Sequence, residues 1–416
     1  MGKVFFLFAT ALMLALLSPE VNAQKSVIQL DDNRSLEIGG WVRSEFIFNS
    51  RATIEAVDGL FSLYPMEVIL DDNGVDINGN PSVAMSSVAT RFTGTFKGQT
   101  IGEASSEAYV EMDFTAKSSA NSFMFRQGWI RLSWDHAQLL IGRAWHPMAA
   151  YSMPHVINLN FGAPFFTFNR SEQVRFTYLP ENFILSATAS YQGSYASDGP
   201  RGRSDEYMRN AIIPEMSIAA VYQEGEIKVG VVANTKTLKP RNTVTGLDGI
   251  TKKTRTKLTT ISGQIFSEFN NGNISIRVNG SYTQNCSESY MLGGYGVSDY
   301  NLLTGVERYT PSQHLNGWIS VETGEKLKYG FFAGHTKNLG TLDPVIGSFY
   351  GRGYDIASIS RIAPRVYYQF PKLSVVSELE YTTAWYGTPN GADNGRVSGT
   401  APSGNLRLLM MAVYYF

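Results

Sequence analysis

After residue 23 the chain alternates without exception between tight and long connections, and these join segments of period-2 hydrophobicity. Few folds tolerate that rhythm. Sixteen such segments are readable: 35–48, 84–97, 103–115, 123–134, 137–146, 172–178, 183–192, 215–222, 226–235, 257–269, 273–285, 313–321, 327–335, 354–370, 373–386 and 405–416. In 273–283, Ile274, Ile276, Val278, Gly280 and Tyr282 alternate with Ser275, Arg277, Asn279, Ser281 and Thr283. In 107–114, Glu107, Tyr109, Glu111 and Asp113 share one face and Ala108, Val110, Met112 and Phe114 the other. Each segment reads as a strand with one apolar and one polar face. Seven connections (98–102, 135–136, 179–182, 223–225, 270–272, 322–326 and 371–372) are short and rich in Gly, Asn, Asp and Pro, the residues hairpin turns require. The other eight, 49–83, 116–122, 147–171, 193–214, 236–256, 286–312, 336–353 and 387–404, are longer. A soluble sandwich or propeller has no reason to sort its connections this way. A membrane barrel does, with short periplasmic turns and long outer loops. The expected fold is all-β: a 16-stranded antiparallel transmembrane β-barrel forming one domain over 24–416.

Composition agrees. Hydrophobic residues are 43%, charged residues 17%, and no long apolar run follows the leader, which excludes a disordered chain and a helical membrane protein. The net charge of −1 advertises no polyanion surface, so nucleic acid is not an expected partner. Residues 1–23 read as a cleaved secretory signal: Lys3, an apolar core over 4–17, and small residues at Val21 and Ala23. Export places the barrel in the outer membrane of a Gram-negative bacterium, with the lipid bilayer, lipopolysaccharide and the barrel-insertion machinery as partners. The one cysteine, Cys286, excludes an internal disulfide and is read as having no role. None of the five histidines sits in a catalytic motif, and 71–81 lacks the spacing of a calcium loop. No enzyme activity, cofactor or metal is expected.

The polar faces carry charge. Arg91, Arg131, Arg175, Arg277, Arg361, Arg365 and Arg407 fall at inward positions, as do Glu107, Glu111, Asp113, Glu378 and Glu380. Arg143 is also placed inward although its strand alternates poorly. The connection 147–171 (PMAAYSMPHVINLNFGAPFFTFNRS) is apolar, aromatic and free of acids, yet carries Arg170. Exposed loops are polar, so this one is expected to fold into the lumen as a constriction. The expected constriction set is Arg91, Arg131, Arg143, Arg170 and Arg175 with Glu107, Glu111 and Asp113, the arginine excess favouring small anions such as carboxylates. Aromatics near the short turns (Trp134, Tyr178, Phe183, Tyr222, Phe269, Phe370, Tyr414 and Phe416) suit an interfacial girdle. Phe416, with Tyr414 on its face, resembles the terminal aromatic signal read by barrel-insertion machinery.

Across Ser87–Trp145 the succession SSVATRFTGTFKG, EAYVEMDF, FMFRQGWIRLSW and AQLLIGRAW resembles the Gram-negative porins, nearest to the DcaP-like trimeric porins. About 60 residues carry the resemblance; the rest agrees in rhythm and in its terminal Phe. No coiled-coil segment like that of the DcaP-like porins is read ahead of the first strand. The resemblance implies a homotrimer with one pore per subunit, an inward third loop, and passive diffusion of small hydrophilic solutes and ions. It also implies a preference for negatively charged solutes, through Arg91, Arg131 and Arg143. A substrate-specific channel for sugars, peptides or dicarboxylates is the alternative.

Overall fold

The computed structural model describes residues 26–56, 60–115 and 123–416. The expected signal segment and the connection 116–122 lie outside the described residues. Sixteen strands form a closed antiparallel wall. They are β1 (Arg34–Asn49), β2 (in two pieces, Ser82–Ser86 and Arg91–Lys97), β3 (Ser105–Asp113), β4 (Met124–Ser133), β5 (Ala137–Trp145), β6 (Arg170–Tyr178), β7 (Phe183–Tyr191), β8 (Glu215–Glu224), β9 (Ile227–Leu238), β10 (Leu258–Asn270), β11 (Ile274–Gln284), β12 (Glu307–Thr323), β13 (Leu327–Thr341), β14 (Ile356–Gln369), β15 (Leu373–Asn390) and β16 (Arg396–Tyr415). Each pairs with its neighbour in the chain, and β1 closes on β16 from Trp41↔Tyr415 to Asn49↔Arg407.

The wall is inverted relative to a soluble protein. Ile218, Ile261 and Ile265 are each at least 60% exposed, while their strand neighbours Ser217, Thr260, Ser262 and Gln264 are buried. A closed sheet with an apolar exterior has every backbone group paired and its outer face matched to hydrocarbon, so the barrel spans a membrane.

The boundaries depart from the sequence reading in three places. A strand Ser26–Asp31 precedes the expected first one; it pairs with β1 from Ser26↔Ile38 to Asp31↔Arg34, taking the edge that β16 leaves free below Trp41. The strand expected over 84–97 is broken at 87–90, where the Trp41 indole N–H donates to Ala89 O (3.1 Å) and the Arg43 amide donates to Thr90 Oγ1 (3.2 Å). The connection expected over 387–404 is mostly strand, because β15 and β16 continue pairing out to Asn390↔Arg396. Above the bilayer neither face has to be apolar, so a strand there leaves no period-2 signature.

Candidate pore constriction

The third long connection, residues 146–169, enters the barrel rather than standing over it. Arg170 and Ser171, expected in this loop, belong instead to β6. Its first turn, Pro147–Ala150, is capped by His146 Nδ1, which accepts from the Met148 amide (3.3 Å). Met148 then packs on Ala219, Val221, Val232 and Phe266 of the inner wall. From there the backbone carbonyls are gripped by wall cations. Arg175 donates to Trp145 O (2.6 Å), Lys228 to Tyr151 O, Arg277 to Met153 O (2.8 Å), Arg43 to Ile157 O (2.8 Å) and Arg361 to Ala163 O (2.8 Å). Wall acids and a hydroxyl take the loop's donors. Glu378 accepts from the Ile157 amide (3.4 Å), Glu380 from Asn158 Nδ2 (3.2 Å) and Ser320 Oγ from the His155 amide (3.0 Å), while the His155 ring meets Glu322 (3.1 Å). These anchors come from β1, β6, β9, β11, β12, β14 and β15, so the loop crosses the lumen and is tied to the wall on both sides.

Other loops close on it from above. Phe61 of the first long connection, Phe168 of the third, Tyr195 of the fourth and Tyr290 of the sixth form one aromatic cluster, with Phe61–Phe168 centroids 5.1 Å apart and Phe168–Tyr195 5.8 Å. Arg361 joins two of these loops: besides Ala163 O it donates to Leu63 O (2.7 Å), and its Nε lies 3.2 Å from Glu380. Removing it strands a buried carboxylate and two carbonyls, a loss of about 3–5 kcal/mol. In Arg361→Ala, amide hydrogen exchange should rise through 157–166 while the wall strands stay protected. Unchanged exchange in that segment would show that the loop is held otherwise.

The expected charged residues divide into two groups. Arg91 lies 3.6 Å from Glu111 and 3.5 Å from Asp113, and Arg131 lies 2.9 Å from Glu107. Both arginines are therefore compensated, which corrects the expectation that they contribute an excess of positive charge. The second group lies on β5 and β6. Arg175 reaches Trp145 O and Gln173 Oε1 (2.7 Å) but no carboxylate. Arg170 is 1% exposed and is surrounded by the rings of Trp145 (5.0 Å), Phe168 (5.2 Å) and Tyr195 (5.5 Å), donating to the Tyr195 hydroxyl. Arg143 is 6.0 Å from the Tyr195 ring and 4.0 Å from Glu172, which is itself exposed. Nε and Nη1 of Arg170, like Nε and Nη2 of Arg143, meet no protein acceptor. β5 also carries Gly142, whose φ is +130° and where a Cβ would sit 2.4 Å from Gly128 O.

Sequence periodicity missed Arg126. By parity it faces outward, but a bulge against β3 sets Glu111 opposite Gln127 and Met112 opposite Phe125, leaving Arg126 extra. The bulge turns it inward to Glu111 (2.7 Å) and Asp113 (2.8 Å), and it becomes the closest partner of both acids. Adjacent polar residues Arg126-Gln127 within a strand were the available signal. Cys286 is buried in the sixth long connection, and that burial pushes its thiol up to about 12, so it is inert.

No protein-family model matches the sequence, and no curated protein matches it. Solved structures do. The outer-membrane channel DcaP of Acinetobacter baumannii superposes with a TM-score of 0.65 over 95% of this chain and 100% of that one, at 15% identity. OmpT of Vibrio cholerae gives 0.56 over 94% and 100%, at 12% identity. An anion-selective porin from Comamonas acidovorans gives 0.54 over 92% and 100%, at 8% identity. At such identities the likeness is one of fold: the chain has the 16-stranded barrel fold of the Gram-negative outer-membrane porins.

Proposed function

We propose that this chain is an outer-membrane porin, assembled as a homotrimer, through which small hydrophilic solutes diffuse passively with a preference for small anions such as carboxylates. One observation carries the anion preference. Among the described residues, the inward arginines Arg170, Arg175, Arg277 and Arg407 have no carboxylate within 4.0 Å, whereas Glu45, Glu107, Glu111, Asp113, Glu378 and Glu380 each have an arginine within that distance. Glu215, 3.3 Å from the His146 ring and without an arginine, offsets one of these four, and the sum over these groups stays positive. Guanidinium stays charged at every relevant pH, and a narrow pore through low-dielectric walls screens it less than bulk water does. At His155, Nδ1 of the ring meets Glu322, but Ser320 Oγ bonds to the His155 backbone and not to its imidazole, so Ser320 is not set as a nucleophile for that ring. The trimer rests on analogy of fold, one of the superposing Vibrio cholerae OmpT structures being a trimer form.

A second reading, a substrate-specific channel for sugars, peptides or dicarboxylates, is favoured by the aromatic cluster of four loops across the lumen. Planar-bilayer recording under a tenfold salt gradient tests both. Three equal current steps per insertion and a reversal potential of anionic sign are expected. A channel clearly selective for cations, or no current, would overturn the porin reading as stated. Current blocked by one solute class at low concentration would favour the second.

A further inference from the structure

The turn 285–290, where β11 gives way to the sixth long connection, is held by more than its own backbone. Asn285 (φ +52°) and Tyr290 (φ +59°) are both left-handed, and a residue as bulky as Tyr290 takes that conformation only where its surroundings impose it. Between them Ser287, Glu288 and Ser289 form a single helical turn and are all buried. Three neighbours fix it. On the wall, Lys236 of β9 lies 2.6 Å from Glu288 and also donates to Asn285 O. In the fourth long connection, Ser197 Oγ donates to Glu288 (3.5 Å) and Asp198 accepts from Ser287 Oγ (2.7 Å). In the third, the Phe168 amide donates to Ser289 O (3.2 Å) and Asn169 Nδ2 to Ser289 Oγ (3.3 Å). Tyr290 then completes the aromatic cluster over the lumen, its ring 5.6 Å from Phe61 and 5.8 Å from both Phe168 and Tyr195.

Two features make this arrangement reversible. The Lys236 and Glu288 side chains are only 4% and 3% exposed, and a buried pair is balanced only while both charges are present. Beneath the turn, both side-chain polar atoms of Asn285 and Oδ1 of Asn234 are sealed without protein partners, and lifting the turn would give them water. We propose that 285–290 is a latch on the pore: the Lys236–Glu288 pair holds Tyr290 in the aromatic cluster, and release of the turn withdraws Tyr290 and widens the path. The proposal rests on the channel reading above. Acid tightens the latch. Burial, with Glu215 nearby and against the pull of Lys236, holds the Glu288 carboxyl above the usual carboxylate range. The latched turn therefore takes up a proton more readily than a released, hydrated one, so falling pH favours the latched form and rising pH favours release. The other titratable groups around Glu288 are Lys236, Glu215 with His146 (3.3 Å), Asp198 with Arg203 (3.5 Å) and the Cys286 thiol, while the third connection packs on the turn through uncharged Phe168 and Asn169.

Cys286, inside the latch, reports its state without any current. Burial pushes the thiol up to about 12, and release would return it towards ~8.5. In full-length protein in detergent at neutral pH, K236Q leaves Glu288 buried without its cation, so Cys286 should react with a maleimide about a hundredfold faster than in the wild type. E288Q and K236Q/E288Q strand no carboxylate and should react no faster than the wild type. In planar bilayers K236Q should give larger unit currents at neutral pH and fall back to the wild-type size at about pH 5, where Glu288 is protonated. E288Q currents should not change with pH over that range. Wild-type labelling in K236Q would overturn the latch. So would equal labelling of K236Q and K236Q/E288Q, which would mean that Lys236 acts by its bulk and not by its charge. A pH step that persists in E288Q would belong to His146 and would likewise overturn the proposal. Labelling in the expected order with no current from any variant would leave the movement of the turn standing and count against the porin reading.

Discussion

Replacing Arg170 and Arg175 together with glutamine should lower the anion-to-cation permeability ratio about tenfold or more and move the reversal potential toward cations. Arg170 is sealed from solvent, so it acts on a passing ion from a distance, and at an effective dielectric constant of about 20 a unit charge still contributes roughly 1 kcal/mol at ~16 Å, about fivefold in permeability. Neither residue is paired to a carboxylate among the described residues, so removing both deletes net charge without exposing an acid. The compensated pair offers the contrast. Glu107→Gln with Arg131→Gln removes two charges 2.9 Å apart and should leave the reversal potential nearly where it was. Arg91→Ala with Arg131→Ala should also shift selectivity toward cations, but by a different route. It leaves Glu107 alone and Glu111 with Asp113 facing only Arg126, at a stability cost of about 3–5 kcal/mol for the buried pair. An Arg170/Arg175 variant whose reversal potential stays at the wild-type value would end the proposal that these two set selectivity.

The wall was legible because the bilayer imposes its pattern on every residue it touches: 273–283 alternates strictly, and β11 lies there. Where that pressure lifts, legibility goes with it. The outer reaches of β15 and β16 are strand in an aqueous setting, and 396–404 reads as loop although it pairs. Inside the barrel the reading was partial for another reason. Composition marked the third loop as too apolar and too acid-free to be exposed. It did not reveal that Arg43, Arg277 and Arg361 would be used on backbone carbonyls, since a carbonyl belongs to every residue and leaves no mark in sequence. Arg126 escaped because one bulged residue reverses parity, and parity was the only guide to facing.

The closing seam is the second place where one atom decides a large outcome. Gly40 lies where β1 pairs with β2 through Phe92 and accepts from the Phe416 amide (3.2 Å) on its other edge. Its φ is +154°, and a Cβ there would come 2.1 Å from Arg91 O and 3.0 Å from the Phe416 ring. That missing side chain lets Phe416 lie across the strand onto Phe92, with centroids 5.8 Å apart. Gly40→Ala should therefore cost ~3 kcal/mol or more, from backbone strain and displacement of the terminal ring together. The result should be a fall in heat-resistant barrel on unheated gels, where folded and unfolded forms separate. Phe416→Asp removes the ring contact but strains nothing, and at the bilayer interface a carboxylate costs only ~0–1 kcal/mol. Barrels of that variant that do form should melt close to wild type, while fewer of them reach the membrane, as expected if the terminal aromatic acts in insertion. Gly40→Ala barrels at wild-type yield and melting temperature would show that the seam tolerates a side chain there. Wild-type membrane levels of Phe416→Asp would remove the terminal residue from the assembly signal.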